Sequence, residues 1–147
     1  MTRRLLLATL PFALTLRADA AKDAWDMLSD AASALGEGDA PGFLSYFDAH
    51  MPGYDKLRED AMALAREWAS SSSIDLVSND GDEGTRTIQA DWQLIFAPLD
   101  SMDPANLHGI ESTRREERVE IRVVKNGKRW RIESFNPEGF FAPPSPK

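Results

Sequence analysis

Cysteine is absent from all 147 residues of this sequence. Its absence excludes disulfides, thiolate catalysis and zinc sites built on cysteine. The sequence has only two histidines, His50 and His108, and they form no His-x-x-x-His pair, so no metal site of that kind is predicted. Glycine-rich phosphate loops and Gly-x-Ser-x-Gly elbows are missing as well. Nucleotide binding and serine hydrolysis are therefore unsupported, and we expect neither a metal nor a cofactor.

Basic residues are scarce: there are 17 lysines and arginines against 24 aspartates and glutamates, a formal net charge of −7. The first 20 positions hold Arg3, Arg4, Arg17 and Asp19, so the chain from Ala21 onward has 14 basic and 23 acidic residues. A surface this acidic repels the phosphates of nucleic acids and of anionic lipids. We therefore expect no nucleic-acid partner and no membrane partner for the chain after residue 20.

Long hydrophobic runs are also missing. The longest apolar stretch, Leu5–Leu16, has twelve residues, whereas a membrane-spanning helix needs about 20. It follows two arginines and precedes Ala18-Asp19-Ala20, a small-x-small pattern that signal peptidase recognises. We predict a cleavable signal peptide over residues 1–20, cut after Ala20, with an uncleaved N-terminal helix as the alternative. The predicted location is exported, either periplasmic or secreted.

The remaining 127 residues are enough for one domain with a sizeable core. Repeats, long linkers and abrupt composition changes are absent, so a single domain is predicted over residues 21–141. Residues 142–147 contain three prolines and are predicted to be a disordered, unpaired tail.

The first half of this domain has apolar residues at helical spacing, which predicts three amphipathic helices. Gly36 and Gly38 end the first helix. Asp39 is a good N-cap for the second, because its carboxylate can accept free backbone N–H groups. The serine run Ser70–Ser73 is expected to close the third helix. The predicted helices are Asp23–Leu35, a short one from Asp39 to near Met51, and Tyr54–Ala69.

After Ser73 the apolar period changes to two, which is typical of half-buried strands. In the longest predicted strand, the even positions from Ile88 to Phe96 share one apolar face. Asn126 and Gly127 can both adopt positive φ, so they predict a tight hairpin turn. The predicted strands are Ile74–Val77, Thr85–Ala97, Ile110–Val124 and Arg129–Phe135.

Two stretches, Gly38–Leu44 and Asn126–Phe135, together with the helices-first order, resemble the nuclear transport factor 2-like superfamily. This superfamily includes ketosteroid isomerase, scytalone dehydratase and the SnoaL-like polyketide cyclases. The resemblance implies an α+β fold in which three N-terminal helices pack in the concave face of a curved antiparallel sheet. It also implies a cone whose open end admits ligands, and a homodimer formed through the outer sheet face.

Folding the chain as such a cone gathers a set of aromatic residues near the interior. An aromatic lining suits a ligand pocket. The same side chains are also what a small core without disulfides would bury. The residues predicted to line the pocket are Trp25, Phe47, Tyr54, Trp92, Phe96 and Trp130.

Isomerase-like members of the superfamily need a base inside the cone and a tyrosine or protonated acid opposite it. In the helical segment where the resemblance implies that tyrosine, this chain has Trp25 and no tyrosine. Asp91 alternates out of phase with Trp92 and is expected on the outer face. The candidate bases that remain are Asp75 and His108.

We therefore predict an exported, non-catalytic domain that binds a small apolar ligand or a protein partner, and we name no catalytic residue. The alternative is a SnoaL-like enzyme, an isomerase, cyclase or dehydratase, with Asp75 or His108 as its base. A structural module of a cell-envelope assembly is a third interpretation.

Overall fold

The structure, a computed structural model, describes residues 2–99 and 112–144, with side chains from Arg17 onward. Three helices precede four strands, which confirms the predicted α+β class and element order. The helices are α1 Thr2–Gly36, α2 Ala40–Leu44 and α3 Tyr54–Glu67; the strands are β1 Trp68–Gly81, β2 Thr85–Pro98, β3 Thr113–Asn126 and β4 Arg129–Asn136.

Helix α1 is continuous from Thr2 through the predicted cleavage position at Ala20. Its second half lies along β1 in the opposite direction. Two side-chain bonds fix this alignment: the Ser70 hydroxyl donates to the Leu35 carbonyl at 3.2 Å, and the Asn79 amide donates to the Ala21 carbonyl at 2.8 Å. Within the described residues, no helix is both long enough and apolar enough to cross a bilayer. Cleavage after Ala20 stays a prediction.

Asp39 caps α2 as predicted, because its carboxylate accepts the backbone N–H of Gly42 at 2.9 Å. The helix ends at Leu44, so the predicted extension to near Met51 is wrong. The reason is that the following backbone pairs with β4. The Ile132 N–H donates to the Tyr46 carbonyl and the Asp48 N–H donates to the Ile132 carbonyl, both at 2.8 Å.

The serine run does not close α3 but continues β1, which begins at Trp68. The predicted strand Ile74–Val77 is therefore part of a strand of 14 residues. Inward-facing serines have partners that suit a strand. Ser70 bonds to α1, and the Ser72 hydroxyl accepts the indole N–H of Trp92 at 2.9 Å.

The sheet is antiparallel with strand order β1-β2-β3-β4. Its inner face carries most of the core, and the predicted alternation of β2 is confirmed. The residues of β2 and β3 that point inward and are 0 % exposed are Ile88, Ala90, Trp92, Leu94, Phe96, Val119, Ile121 and Val123.

The β3–β4 hairpin forms as predicted, but its loop is Gly127–Lys128. Asn126 is the last residue of β3 and pairs with Arg129, so its predicted positive φ is wrong. Gly127 alone has positive φ, +66°, as a two-residue loop with glycine at its first central position requires.

After β4 the chain turns back over the sheet. Phe140 and Phe141 are both 2 % exposed. The Ala142 N–H donates to the Gly139 carbonyl at 3.0 Å, so the first residue of the predicted tail is held in place. Residues 145–147 lie outside the described residues.

Candidate functional site

An aromatic cluster fills the interior between the sheet, α2 and the segment after β4. We define this cluster as Phe43, Phe47, Trp92, Phe135, Phe140 and Phe141. Trp92 is central: its ring centroid lies 5.7 Å from that of Phe135 and 5.2 Å from that of Phe141. Edge-to-face pairs at such distances contribute beyond the area they bury.

Phe141 contacts four other rings of the cluster, and one of them is its chain neighbour Phe140, 5.1 Å away between centroids. The Phe141 centroid is 4.9 Å from that of Phe135, 5.0 Å from that of Phe43 and 5.2 Å from that of Trp92. The rings of Phe43 and Trp92 meet it at 68° and 79°. Phe43 and Trp92 therefore both make T-shaped contacts with the Phe141 ring.

A small cleft opens beside this cluster, between the start of α3 and the segment after β4. Its volume is about 40 Å³, and Phe135 and Phe141 form its aromatic floor. We call it the α3 cleft. The residues that line it are Met51, Pro52, Gly53, Lys56, Leu57, Asp60, Phe135, Pro137, Glu138, Gly139 and Phe141.

The rim of the α3 cleft is charged. Lys56 Nζ lies 2.7 Å from Asp60 Oδ2, with the Asp60 side chain only 14 % exposed. A Cβ added at Gly53 would lie 3.6 Å from Glu138 Oε1, so this carboxylate lies over the beginning of α3. The cleft thus joins an aromatic floor to a rim with one ammonium and two carboxylates.

The six residues predicted to line a pocket do not form one group. Phe47 and Trp92 belong to the aromatic cluster, whereas Phe96 is buried against Trp68 at 6.4 Å between centroids. Tyr54 lines an open groove between α2 and α3.

The other two predicted lining residues lie on α1 and β4. Trp25, on α1, is half-buried against the core. Trp130 lines a groove between α1 and the β3–β4 hairpin. Its indole N–H is buried and has no hydrogen-bond partner within the described part of the chain.

Of the two candidate bases, only Asp75 lies within the described residues, and it is not in the interior. Asp75 is exposed on β1 and pairs in register with Asp91, on the outer face. The Arg118 guanidinium bonds to both oxygens of Asp91, at 3.0 and 3.2 Å. These bonds hold the pKa of the Asp91 carboxyl below its usual value. His108 lies outside the described residues, and His50 is exposed.

Arg86 is the one buried charged or polar residue in the described ranges. Its guanidinium donates to the Asn79 side chain at 2.6 Å and to the backbone carbonyls of Asn79 and Asp82 at 2.9 and 3.0 Å. These bonds tie the β1–β2 turn together, a structural role. Among the same residues, no group of three His, Asp or Glu side chains could hold a metal ion.

Sequence reasoning missed most of the α3 cleft. Phe140 and Phe141 follow β4 in a Pro- and Gly-containing segment without periodicity, so no pattern marked them as interior. Lys56 and Asp60 have i,i+4 spacing, which is typical of a surface ion pair on a helix. The one available signal was the adjacent pair of phenylalanines directly before the proline-rich end.

Solved structures with this arrangement include nuclear transport factor 2-like proteins and a protein with a cystatin-like fold. A presumed scytalone dehydratase from Novosphingobium aromaticivorans matches with a TM-score of 0.64 and 12% identity, over 92% of this chain and 85% of that one. A nuclear transport factor 2-like protein of unknown function from Shewanella oneidensis matches with a TM-score of 0.60 and 11% identity, over 78% and 94%.

A nuclear transport factor 2-like superfamily protein from Salmonella enterica matches with a TM-score of 0.59 and 9% identity, over 80% of this chain and 89% of that one. No family profile matches the sequence, and no curated protein is significantly similar to it. The chain therefore has the nuclear transport factor 2-like cone fold, as its sequence resemblance implied.

Proposed function

We propose that this chain is a non-catalytic binding domain whose α3 cleft takes a small apolar ligand. The observation that carries the proposal is the cleft itself: two aromatic rings form its floor, and it opens directly from the apolar interior. Small-molecule sites are usually concave and apolar with a few polar groups at the edge. Because the cleft has a volume of only about 40 Å³, it takes the apolar end of a ligand, and the rest of the ligand lies at the open rim. The charged rim would orient the ligand rather than react with it.

The apolar character of the inner face supports binding over catalysis. Every inward position of β2 from Ile88 to Phe96 is apolar, whereas an isomerase-like site needs a base at such a position. Asp75 is exposed on the outer face. The alternative, a SnoaL-like enzyme, therefore depends on His108. A His108→Ala variant that lost turnover of an identified substrate while still binding it would favour the enzyme.

A matched pair of substitutions on α3 tests the ligand site. Leu57 lines the α3 cleft, whereas Met62 lines the open groove between α2 and α3 and is 44% exposed. We expect 1-hexanol, a small apolar probe, to give saturation-transfer NMR signals with the wild-type protein. Leu57→Phe should abolish these signals because the larger side chain fills the cleft, and Met62→Phe should leave them unchanged. Equal signals from both variants would contradict the proposal.

We further propose a homodimer through the outer face of the sheet. β3 presents an exposed row of alternating charge on this face, namely Arg114, Glu116, Arg118, Glu120 and Arg122. Such a row is self-complementary about a two-fold axis that passes between Glu116 and Arg118. Each acid then faces an arginine of the second copy.

Sedimentation velocity tests the dimer. Glu120→Arg places two arginines opposite each other across the proposed axis and should shift the protein toward monomer. Lys128→Glu, in the β3–β4 loop, changes charge away from this face and should leave the mass unchanged. A monomeric wild-type protein at high micromolar concentration would overturn the dimer.

We also propose that the protein is exported and that its mature form begins at Ala21. The Asn79 amide bonds to the carbonyl of Ala21, a contact that cleavage after Ala20 would retain. N-terminal sequencing of the protein from its native cell envelope should yield Ala-Lys-Asp-Ala. A sequence that begins at Met1 or Thr2 would contradict export by cleavage.

A further inference from the structure

The side chains around the Phe141 ring form a site that suits an aromatic ring. Phe43 and Trp92 meet it with T-shaped contacts at 5.0 and 5.2 Å, and Phe135 lies tilted at 4.9 Å. We call these three residues the aromatic box. Edge-to-face contacts of this kind recognise a planar ring whichever molecule carries it.

The segment that carries Phe141 is held on the sheet by one arginine. Arg115, opposite Leu94 on the inner face of β3, donates through Nη1 to the carbonyls of Phe140 and, at 2.8 Å, Ala142. Its guanidinium also lies over the Phe96 ring, 5.1 Å from the centroid. The two carbonyls flank Phe141, so Arg115 fixes the backbone on both sides of the buried ring.

We propose that residues 137–144 are an intramolecular occupant of a site for a monocyclic aromatic ligand, and that Arg115 acts as the latch that governs its release. The inference rests on the proposed function, because Phe135 and Phe141 also form the floor of the α3 cleft. When Phe141 leaves the aromatic box, the space that it vacates becomes continuous with the α3 cleft. An apolar cavity of about 150 Å³ is sufficient to bind benzene.

Residues 137–144 and a ligand compete for the same aromatic box, and this competition lowers the apparent affinity for the ligand. The apparent affinity for an aromatic ring is the intrinsic affinity multiplied by the fraction of molecules in which Phe141 has left the box. A weaker latch raises this fraction and so raises the apparent affinity. Full removal of the Phe141 ring gives the intrinsic affinity.

Toluene titrations followed by NMR of the full chain test the inference with three variants. Phe141→Ala should bind toluene at least tenfold more tightly than the wild type, because its box is vacant. Arg115→Gln keeps the ring but weakens the latch, and should bind about threefold to tenfold more tightly. The control is Arg58→Gln, which changes an exposed arginine of the groove between α2 and α3 and should bind toluene as the wild type does.

The outcomes separate this inference from the proposed function. Suppose that hexanol binding by the wild type is lost in Leu57→Phe, but that neither Phe141→Ala nor Arg115→Gln gains toluene affinity. The α3 cleft is then a ligand site, and the proposal that residues 137–144 occupy an aromatic site is wrong. If Phe141→Ala binds toluene but the wild type binds no hexanol, toluene only fills the cavity left by the deleted ring, and the proposed function fails together with the inference that rests on it.

Removal of a buried ring can leave a protein unfolded. If Phe141→Ala does not fold, Arg115→Gln alone tests whether residues 137–144 occupy the aromatic box. Hydrogen exchange of the Ala142 amide, which bonds to Gly139, then reports release of the segment. Arg115→Gln should speed this exchange about threefold or more, and toluene should speed it further. If neither Arg115→Gln nor toluene changes the exchange rate of the Ala142 amide, the proposed role of Arg115 as a latch is wrong.

Discussion

The two faces of the central strands, β2 and β3, differ in almost every physical respect. The inner face is apolar and wholly buried from Ile88 to Phe96 on β2 and from Val119 to Val123 on β3. The outer face carries Gln89, Asp91 and Gln93 beside the charged row of β3, and its ion pairs, such as Asp91–Arg118, are exposed to solvent. One pair of strands thus separates the residues that hold the fold from those available to a second molecule.

This difference predicts where substitutions matter. Burial of large apolar side chains contributes most of the folding free energy, whereas exposed ion pairs contribute little. Neighbouring residues on one strand point to opposite faces. Substitutions at adjacent positions therefore provide matched tests of the two faces.

The largest effect is expected at Trp92. Trp92→Ala removes the central ring of the aromatic cluster and should lower the free energy of unfolding by about 3–5 kcal/mol. Gln93→Ala, one residue further on the outer face, should change it by no more than about 0.5 kcal/mol. Urea unfolding followed by circular dichroism measures both. Similar losses at the two positions would contradict the division between the faces.

A smaller effect is expected at Ser72, whose hydroxyl accepts the buried indole N–H of Trp92. Ser72→Ala leaves this donor unsatisfied and should cost about 1–3 kcal/mol in unfolding free energy. Ser73→Ala, on the exposed outer face, is the control and should be within about 0.5 kcal/mol of the wild type. An equal effect of both substitutions would mean that the Ser72 bond contributes nothing.

The smallest effect is expected at Asp91 and depends on pH. Hydrogen bonds from Arg118 lower the pKa of Asp91 in the folded protein, so the folded state binds this proton less readily than the unfolded state. The resulting stabilisation is present above the unfolded pKa, about 3.9, and is lost as the pH falls through the lower folded pKa.

Asp91→Asn should therefore be slightly less stable than the wild type at pH 7. The two proteins should converge below the folded pKa of Asp91. Thermal unfolding between pH 2 and pH 7, in low salt, measures this convergence. If the stability difference between Asp91→Asn and the wild type stays constant from pH 2 to pH 7, the Asp91–Arg118 ion pair does not contribute to stability.

The sequence predicts the fold well wherever a periodic pattern or a local cap determines the structure. The alternation of β2 predicted its buried face, and the Asp39 carboxylate caps α2 as expected. The serine run was misassigned because serine favours neither helix nor strand. Its place in β1 depends on partners distant in sequence, Leu35 for Ser70 and Trp92 for Ser72.

The candidate site was less predictable because it is built from non-local contacts. Phe141 is buried by Phe43, Trp92 and Phe135, which come from α2, β2 and β4. No periodicity within its own segment announces this burial. The end of α2 was misplaced for a similar reason, because the backbone near Tyr46 pairs with Ile132 on β4.

We propose that the protein binds small apolar molecules beside its aromatic cluster rather than on its charged outer face. Chemical-shift mapping of the wild-type protein with 1-hexanol tests this claim most directly. We expect saturable shifts at Leu57, Phe135 and Phe141, with the outer-face amides of β3 unaffected. Shifts confined to Arg114–Arg122, or no saturable shift at millimolar hexanol, would contradict it.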